Sequence, residues 1–244
     1  MGHAGERREP VTEPTAMPPL APRLQQCSLF AALAPAQLAR VARRAQLQRY
    51  LHGDWLTTQG EPADALHVIT AGVVKLLVPA DSGTMALVAI RGAGDVIGEL
   101  GIIDGQPHMA AAEAIGAAEA VAVPADELRW ALDASPPFMA QMLQLVAARL
   151  RQAIVLATDL GFLDLRGQIA KHLLSLAAAY GEDIERGAIA ITLPISRLDL
   201  AAMTGAARES VSKQLAWFEH MGIIERRGRQ IVVRDPAQLR RWIL

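Results

Sequence analysis

The sequence predicts an α+β protein made of an N-terminal antiparallel β-roll, a long helix and a C-terminal helical region that ends in a β-hairpin. From about residue 47 to 123, short β-rich runs alternate with glycines at close spacing, and no helical pattern separates them. This rhythm is typical of an antiparallel roll or barrel. From residue 136 onward, apolar residues recur instead at the three- and four-residue spacing of helices.

Composition restricts the classes of protein and site. With 244 residues and 52% hydrophobic content, the chain can fold one large domain or two ordinary ones. Its single cysteine, Cys27, excludes an internal disulfide, an iron–sulfur cluster and a cysteine-rich zinc site. Apolar runs fall short of the roughly 20 residues of a membrane span, and the N-terminus has no apolar signal core. We therefore expect a cytoplasmic protein with no membrane partner.

Changes in composition divide the chain into four segments. Residues 1–22 carry several prolines and many charges but few large apolar groups, which predicts a disordered tail. Residues 23–135 form the β-roll domain, with an amphipathic helix at 34–46 and with ALHVITAGVVKLLV and TMALVAI as the clearest strands. Residues 136–162 form the long helix, and residues 163–244 form the C-terminal domain.

The long helix carries the pattern of a coiled coil. It begins at a capping Ser135 followed by Pro136, which is favoured in the first turn. Along it, apolar residues recur without a break at alternating spacings of four and three. A core helix packed within its own domain is one interpretation, but this register favours a parallel homodimer. The seam residues are Met139, Leu143, Val146, Leu150, Ala153, Ala157 and Leu160.

The segment ISRLDLAAMTGAARESVSKQLAWFEHMG predicts two helices joined by a short turn at residues 204–206. Ser196 and Asp199 provide a start that resembles a capping box, with aspartate in place of the usual glutamate or glutamine. In the second helix Val211, Leu215 and Phe218 recur at spacings of four and three, so they share one face that points inward. The polar residues at the start of this helix are therefore left exposed.

Those exposed residues have the chemistry needed to read DNA. A recognition helix presents its N-terminal side chains to base edges in the major groove. Arginine and lysine donate to guanine, glutamate accepts from cytosine, and serine does either. The residues in question are Arg208, Glu209, Ser212 and Lys213. From Arg208 to the C-terminus, eight basic residues outnumber four acidic ones, which favours double-stranded DNA as a partner.

Behind this helix, GIIERRGRQIVVRD predicts a two-stranded wing. Arg226, Arg227 and Arg229 lie at its turn, where arginines can contact phosphates. An ordinary solvent-exposed hairpin is the alternative. A capped first helix, a glycine turn, a polar quartet and a basic wing follow one another in the order of a winged helix-turn-helix, which favours that motif over two core helices.

The order of these motifs resembles that of the CRP/FNR family of bacterial transcription regulators. The resemblance covers residues from about 25 to about 240 and rests on CSLFAALAPAQL, GEPADALHVITAGVVKL, GDVIGELGIIDGQP, GFLDLRGQIA and GAARESVSKQL. It implies a β-roll of the cyclic-nucleotide-binding type, a dimerisation helix and a C-terminal winged helix-turn-helix. It also implies a two-fold symmetric operator and contact with RNA polymerase.

The resemblance also implies which bases are read. Arg208, Glu209 and Lys213 match the base-reading residues of the cyclic-AMP receptor branch, which has arginine where this chain has Lys213. Ser212 matches a serine used by the fumarate and nitrate reductase regulator branch. These matches imply a TGTGA-like half-site in an inverted repeat with its halves about one helical turn apart. Because lysine lacks the planar fork of arginine, we expect looser discrimination at its base.

A ligand pocket is implied at GELGIIDGQPHMAA. Gly98 and Glu99 match the part of the family's pocket that holds the ribose, unless Glu99 only accepts backbone hydrogen bonds within the roll. His108 and Met109 stand where the family has the arginine and serine that hold the cyclic phosphate. Neutral histidine donates once and methionine donates nothing, so this grip is lost.

The long helix loses a further set of contacts. The adenine-contacting Thr–Ser pair of the family falls at Ala153 and Ile154, whose side chains make no hydrogen bonds. With about 1 to 3 kcal/mol lost at each missing contact, we do not expect cyclic AMP to be the effector. The cofactor therefore stays unknown. Alternatives are a cyclic dinucleotide, an apolar metabolite, haem held by His67, His108 or Cys27, or no ligand at all.

A cupin-like metal-dependent enzyme is the alternative from another class of protein, because cupins are also β-rolls. Such a site needs a close pair of histidines and a carboxylate, and the six histidines are scattered along the chain. No nucleophile–base–acid set or phosphate loop is evident either, so we expect neither an enzyme nor a metal site. A protein-binding accessory role for the C-terminal helices is a further alternative. The histidines are His3, His52, His67, His108, His172 and His220.

Overall fold

The chain forms two structural units, and the boundary between them falls within the long helix. The computed structural model describes residues 20–79, 83–184, 187–228 and 230–243. The first unit comprises the chain up to Val78 together with Val88–Arg149, and the second comprises Pro79–Leu87 and the chain from Leu150 onward. Of the predicted disordered tail, residues 1–19 lie outside the described residues, whereas residues 20–22 belong to a helix.

The first unit begins with helices that supply much of its core. These are α1 (Leu20–Gln25), a short 3-10 helix (Phe30–Ala32) and α2 (Pro35–Arg44). Pro35 starts α2 because its fixed φ suits a first turn and its missing N–H is not needed there. Leu38 and Val41 lie three residues apart on one face of α2 and are buried. The predicted helix at 34–46 is thereby confirmed.

An antiparallel sheet forms the body of the first unit. Its main path runs β1–β6–β3–β4, with β2 added beside β6 and β5 beside β3. Strand β6 pairs antiparallel with β1, β2 and β3. The two strands singled out from the sequence correspond to β3 and β4. The strands are β1 (Gln46–Tyr50), β2 (Trp55–Thr57), β3 (Ala65–Pro79), β4 (Met85–Gly92), β5 (Val96–Ile97) and β6 (Ala111–Pro124).

Strand β6 has a sequence that local propensity does not identify as a strand. It reads AAEAIGAAEAVAVP, and alanine is the strongest helix former. Its small side chains suit a strand that is paired on both edges and buried, and Ala112 and Ala114 are fully buried. Opposite this strand, Gly72 has φ +78°, and a Cβ there would lie 2.2 Å from the Ala117 carbonyl oxygen. Tertiary packing therefore decides this element.

A short helix interrupts the region predicted to contain strands and turns only. This helix, α3 (Glu99–Asp104), lies between Gly98 at φ 95° and Gly105 at φ 72°, both left-handed. Glycine adopts this conformation without the steric cost of a Cβ. The expectation that no helix separates the strands between residues 47 and 123 is thus wrong at this point, because Ile102 is buried and holds α3 against the core.

Two further helices complete this part of the chain. They are α4 (Ala125–Ala134) and α5 (Pro136–Phe162), with α5 starting where the sequence predicts. The Ser135 hydroxyl accepts a hydrogen bond from the Phe138 backbone N–H at 3.3 Å. Phe138 is buried and packs on Phe30, with ring centroids 5.5 Å apart. Among the described helices, none is both long and apolar enough to cross a membrane.

The second unit contains the predicted pair of helices and a sheet larger than the predicted wing. Its antiparallel sheet has the order β7–β8–β10–β9, so the predicted hairpin of β9 and β10 is extended by two strands. Asp164 caps α6 by accepting from the Gly167 backbone N–H at 2.8 Å, as predicted. The elements are α6 (Leu165–Tyr180), β7 (Gly181–Asp183), β8 (Ile189–Ile191), α7 (Arg197–Thr204), α8 (Arg208–His220), β9 (Ile224–Arg227), β10 (Gln230–Val233) and α9 (Pro236–Arg240).

Candidate nucleic-acid interface and sensor pocket

Helix α7 begins at a capping box and ends at a left-handed glycine. The Ser196 hydroxyl accepts from the Asp199 backbone N–H at 3.0 Å, and the Asp199 carboxylate accepts from the Ser196 backbone N–H at 2.9 Å. This is the predicted capping box. At the other end Gly205 adopts φ 64°, a left-handed conformation that ends the helix and turns the chain into α8.

Helix α8 divides into a buried face and an exposed start. Val211, Leu215 and Phe218 are each at most 1% exposed, which confirms the inward face predicted from their spacing. The polar quartet, defined as Arg208, Glu209, Ser212 and Lys213, occupies the first two turns. Within it, Arg208, Glu209 and Lys213 are exposed and Ser212 is half-buried. The start of this helix therefore offers donors and acceptors to an external partner.

An arginine between two tryptophans holds the other side of α8. The Arg166 guanidinium on α6 lies 4.0 Å from the ring centroid of Trp217 and 4.9 Å from that of Trp242. Its Nε donates to Gln214 Oε1 at 2.9 Å. Such cation–π contacts stabilise by about 0.5 to 2 kcal/mol. This brace is not predicted by the sequence, because no local pattern connects residues so distant in the chain.

The wing arginines are engaged with carboxylates. Arg226 forms an ion pair with Glu219 at the end of α8, with Nε 2.9 Å from Oε2. Arg227 and Arg234 both contact Glu225. Hydrogen bonding from Arg226 lowers the pKa of the Glu219 carboxyl, and the contacts from Arg227 and Arg234 do the same for Glu225. Solvent screens surface pairs of this kind and makes them weak, so a phosphate can compete for these arginines.

The wing arginines that were predicted to contact phosphates therefore differ in their surroundings. Arg226 is directed back to α8 and does not project from the turn as an unpaired cation, and Arg227 is exposed but shares Glu225 with Arg234. Arg229 lies outside the described residues. The carboxylate partners could not be assigned from the sequence, because the return of β9 past the end of α8 sets them.

In the first unit, Gly98 and Glu99 lie at the start of α3. Glu99 is 6% exposed, and its Oε1 lies 3.3 Å from Arg149 Nε. This contact is an ion pair without hydrogen-bond alignment, whereas another guanidinium nitrogen of Arg149 donates to the Val96 carbonyl oxygen at 2.9 Å. Burial raises the pKa of the Glu99 carboxyl, and the charge of Arg91 opposes that shift. The sequence indicates a role for Glu99, but it does not indicate that Arg149 or Arg91 lies near it.

His108 is buried close to Gly98. It is 8% exposed, and its Cε1 lies 3.2 Å from the position that a Cβ on Gly98 would occupy. Burial lowers the pKa of His108, so its imidazole is neutral near pH 7. Met109 is 61% exposed. Neither residue offers the permanent charge that an arginine would offer to a phosphate.

The remaining predicted pocket residues lie in the other unit. Ala153 and Ile154 both belong to the second unit, and both are exposed. Their side chains have no hydrogen-bonding groups, as the sequence indicates. Within the described residues, no group of three or more His, Cys, Asp or Glu side chains is arranged to hold a metal ion.

The predicted seam on α5 is largely uncovered. Leu143 and Leu150 are 63% and 61% exposed, and Leu160 is 49% exposed. Met139, Ala153 and Ala157 are also exposed, and Val146 is half-buried. The helix instead buries Phe138 and Met142, near its start. Within the described chain, no other element therefore fully buries the seam side chains.

Acidification is expected to destabilise the first unit through His67. Burial and the neighbouring His108 lower the pKa of His67 to about 4, against an ordinary value of about 6.5. The unfolded chain then binds a proton that the folded chain excludes, so stability is lost as the pH falls from about 6.5 toward about 4. Between about pH 7 and about pH 5 this group alone lowers the free energy of unfolding by about 2 kcal/mol.

The measurement is urea unfolding at several pH values, compared between the wild type and His67→Gln. Cys27 is the only cysteine and is 2% exposed, so its reaction with 4,4′-dithiodipyridine, normalised to the denatured chain, follows unfolding of the first unit. His220→Gln, at an exposed position, is the control. Equal pH dependence in the wild type and His67→Gln would contradict the prediction.

Two family models match the chain. A cyclic nucleotide-binding domain matches residues 47–135, and a Crp-like helix-turn-helix domain matches residues 167–242. Over 219 residues the chain is 35% identical to a CRP-like cAMP-activated global transcriptional regulator of Mycobacterium tuberculosis, covering 89% of this chain and 97% of that protein. The two models together span both the roll and the helix-turn-helix.

Further similarities agree with this match. The chain is 29% identical over 188 residues to the cAMP-activated global transcriptional regulator CRP of Salmonella typhimurium, covering 77% of this chain and 89% of that protein. The structure of FixK2 from Bradyrhizobium japonicum superposes with a TM-score of 0.72 and 25% identity, covering 82% of this chain and 98% of FixK2. The similarity therefore extends through both units.

Proposed function

Because the chain belongs to the CRP/FNR family of bacterial transcription regulators, we propose that it acts in the cytoplasm as a homodimer that binds a TGTGA-like inverted repeat. Family membership makes it a DNA-binding transcription regulator rather than an enzyme. The observation that carries the proposed DNA site is the exposure of Arg208, Glu209 and Lys213 at the start of α8.

The polar quartet supports direct readout of bases. Arg208 and Lys213 make no ion pair with any described residue, so their charges are available to guanine O6 and N7. Glu209 can accept from a cytosine N4 amine. The inward face of α8 and the brace around Arg166 fix the helix from behind. The quartet can therefore enter a major groove without reorganising the unit.

Phosphate contacts position the helix without selecting a sequence. We assign this role to Arg226, Arg227 and Arg229 of the wing, with the first two exchanging a carboxylate partner for a phosphate on binding. The exchange costs little because these surface pairs are weak. The proposal also includes contact with RNA polymerase, which the resemblance to the family implies.

The seam on α5 supports the homodimer. Its apolar side chains are exposed at coiled-coil spacing, and burial of each leucine against a second copy contributes about 1.5 to 3 kcal/mol. A parallel pair of such helices brings two copies of α8 into a two-fold arrangement. An inverted repeat with halves about one helical turn apart matches that symmetry.

Cyclic AMP is not the proposed effector. The family's phosphate-holding arginine is replaced by a buried, neutral His108, and the serine by an outward-facing Met109. The Glu99 carboxylate already forms an ion pair with Arg149. The side chains of Ala153 and Ile154 cannot hydrogen-bond a base. The proposal is that DNA binding is independent of cyclic AMP, with either another effector, such as a cyclic dinucleotide or haem, or none.

Millimolar cyclic AMP is therefore expected to change the affinity for a TGTGA inverted repeat by less than about twofold, because the lost contacts would each supply about 1 to 3 kcal/mol. Fluorescence anisotropy with a labelled duplex measures the affinity, and calorimetry measures cyclic AMP binding directly. The cAMP-activated regulator of Mycobacterium tuberculosis is the positive control. DNA binding that requires cyclic AMP would refute the reading of His108 and Met109.

An unbiased selection from random duplexes tests the proposed DNA site. We expect enrichment of an inverted repeat with TGTGA-like halves, and looser selection at the base that faces Lys213. The affinity should fall steeply with salt concentration, since phosphate contacts release counterions. Recovery of sequences with no repeated half-site would contradict the proposal.

A further inference from the structure

We propose that the second unit contains a binding site for a small organic anion, in a cavity between the C-terminal half of α5 and α6. The cavity has a volume of about 320 Å³. Ligand pockets in proteins measure roughly 300 to 1,000 Å³, so the space suits a small molecule. Its lining includes Arg151, Val155, Leu156, Asp159, Gln168 and Lys171.

The cavity is separate from the proposed dimer seam. The cavity-lining residues of α5, which include Arg151, Val155 and Asp159, lie on a different face from Leu150, Ala153 and Ala157 at about 3.6 residues per turn. Pairing of α5 with a second copy therefore leaves these residues on the side turned away from the seam. The cavity also shares no residue with the predicted ligand pocket, most of which lies in the first unit.

The charges around the cavity favour an anion. Lys171 and Asp159, which both line the cavity, form an ion pair with Nζ 2.5 Å from Oδ1, so the single negative charge of the lining is already balanced. Arg151 is exposed and has no ion pair with any described residue. Its guanidinium can hold a carboxylate or a phosphate with two parallel hydrogen bonds, and Lys171 retains further N–H donors for the same group.

Other lining groups define the rest of the ligand. Val155 and Leu156 offer apolar surface for a hydrocarbon or aromatic body. The Oε1 atom of Gln168 is buried and has no hydrogen-bond partner in the described part of the chain, while its Nε2 donates to the Leu163 carbonyl oxygen. A buried acceptor of this kind is satisfied by a ligand hydroxyl. The inferred class is thus an anion with an apolar body and one hydroxyl group.

The position of the cavity connects it to the helix-turn-helix. His172 lines the cavity, and its ring lies close to the backbone of Met203, near the end of α7. Met203 directly precedes Thr204, the last residue of α7. Binding beside His172 is therefore expected to be felt at the turn that leads into α8.

The test uses 4-hydroxybenzoate as the probe and methyl NMR of the full-length protein to locate it. We expect shifts of the Val155 and Leu156 methyl signals that saturate with 4-hydroxybenzoate, and no saturable shifts with neutral 4-hydroxybenzyl alcohol. Benzoate, which lacks the hydroxyl, should bind more weakly than 4-hydroxybenzoate. Comparison with phenyl phosphate shows which anionic group the site prefers, and tighter binding of either supports an anion site.

Variants make the test specific to the cavity. Arg151→Gln should weaken 4-hydroxybenzoate binding at least about fivefold, as expected for loss of a charge-assisted contact. Arg129→Gln, at an exposed arginine of α4 in the other unit, is the matched control and should change nothing. Absence of saturable shifts with all anionic probes, or equal binding by Arg151→Gln and the wild type, would overturn the proposal. Neither outcome depends on DNA binding.

Discussion

Leu150→Asp is expected to convert the protein to a monomer and to weaken its binding to the inverted repeat by at least about 100-fold. Leu150 is 61% exposed at the middle of the seam. In a parallel pair of α5 helices, two aspartates would face each other in an apolar contact, where unpaired buried charges are strongly unfavourable. Without the partner helix, each α8 binds one half-site alone, and about 10² to 10⁴ in avidity is lost.

Light scattering and sedimentation measure the mass, and fluorescence anisotropy measures the DNA affinity. Gln144→Asp is the matched control, because it introduces the same charge at an exposed position of α5 outside the seam. It should leave both quantities unchanged. Circular dichroism and calorimetry establish that Leu150→Asp is folded. A folded Leu150→Asp variant that remains dimeric and binds the repeat normally would disprove the proposed dimer interface.

Arg208→Ala is expected to weaken specific DNA binding by about 1 to 3 kcal/mol, because a guanine loses the two hydrogen bonds that the arginine donates to it. Arg208 is exposed at the first residue of α8, so the substitution should hardly affect stability. Discrimination against a changed guanine in the half-site should fall with it. Binding to unrelated duplexes should change much less, since it depends mainly on phosphate contacts.

Substitution of Lys213 by arginine tests the same surface by an expected gain in base discrimination. Lys213→Arg supplies a planar fork, so we expect sharper discrimination at its base and unchanged or tighter specific binding. Competition titrations with single-base variants of the half-site measure both effects. Arg129→Ala removes an exposed arginine from α4 and serves as the control. If Arg208→Ala weakened all duplexes equally, the proposed base contact would be ruled out.

Local sequence rules were sufficient for the two helices that carry the proposed DNA interface. The capping pair Ser196 and Asp199, and the spacing of Val211, Leu215 and Phe218, predict where α7 starts and which way α8 faces. Both depend on hydrogen bonds and periodicity within a few residues. The exposure of Arg208, Glu209 and Lys213 follows from the inward face of α8, since residues on the opposite face of an amphipathic helix are exposed to solvent.

The same rules failed where neighbours distant in sequence decide the structure. The alanine-rich β6 is a strand because β1 and β3 pair with it on both sides, although its composition favours a helix. The short α3 forms because Ile102 finds a buried site and Gly98 and Gly105 permit left-handed turns at its ends. Propensity is a weak preference, and tertiary pairing overrides it.

By itself, the sequence determined where α5 and α7 begin, the face that α8 buries and the residue types available at the start of α8. Only the tertiary structure decided the partners of the charged groups: Arg149 beside Glu99, Arg226 against Glu219, and Arg166 between two tryptophans. Helical periodicity and capping act over a few residues and can be read along the chain. Ion pairs and cation–π contacts depend on distances between side chains, and the folded backbone sets those distances.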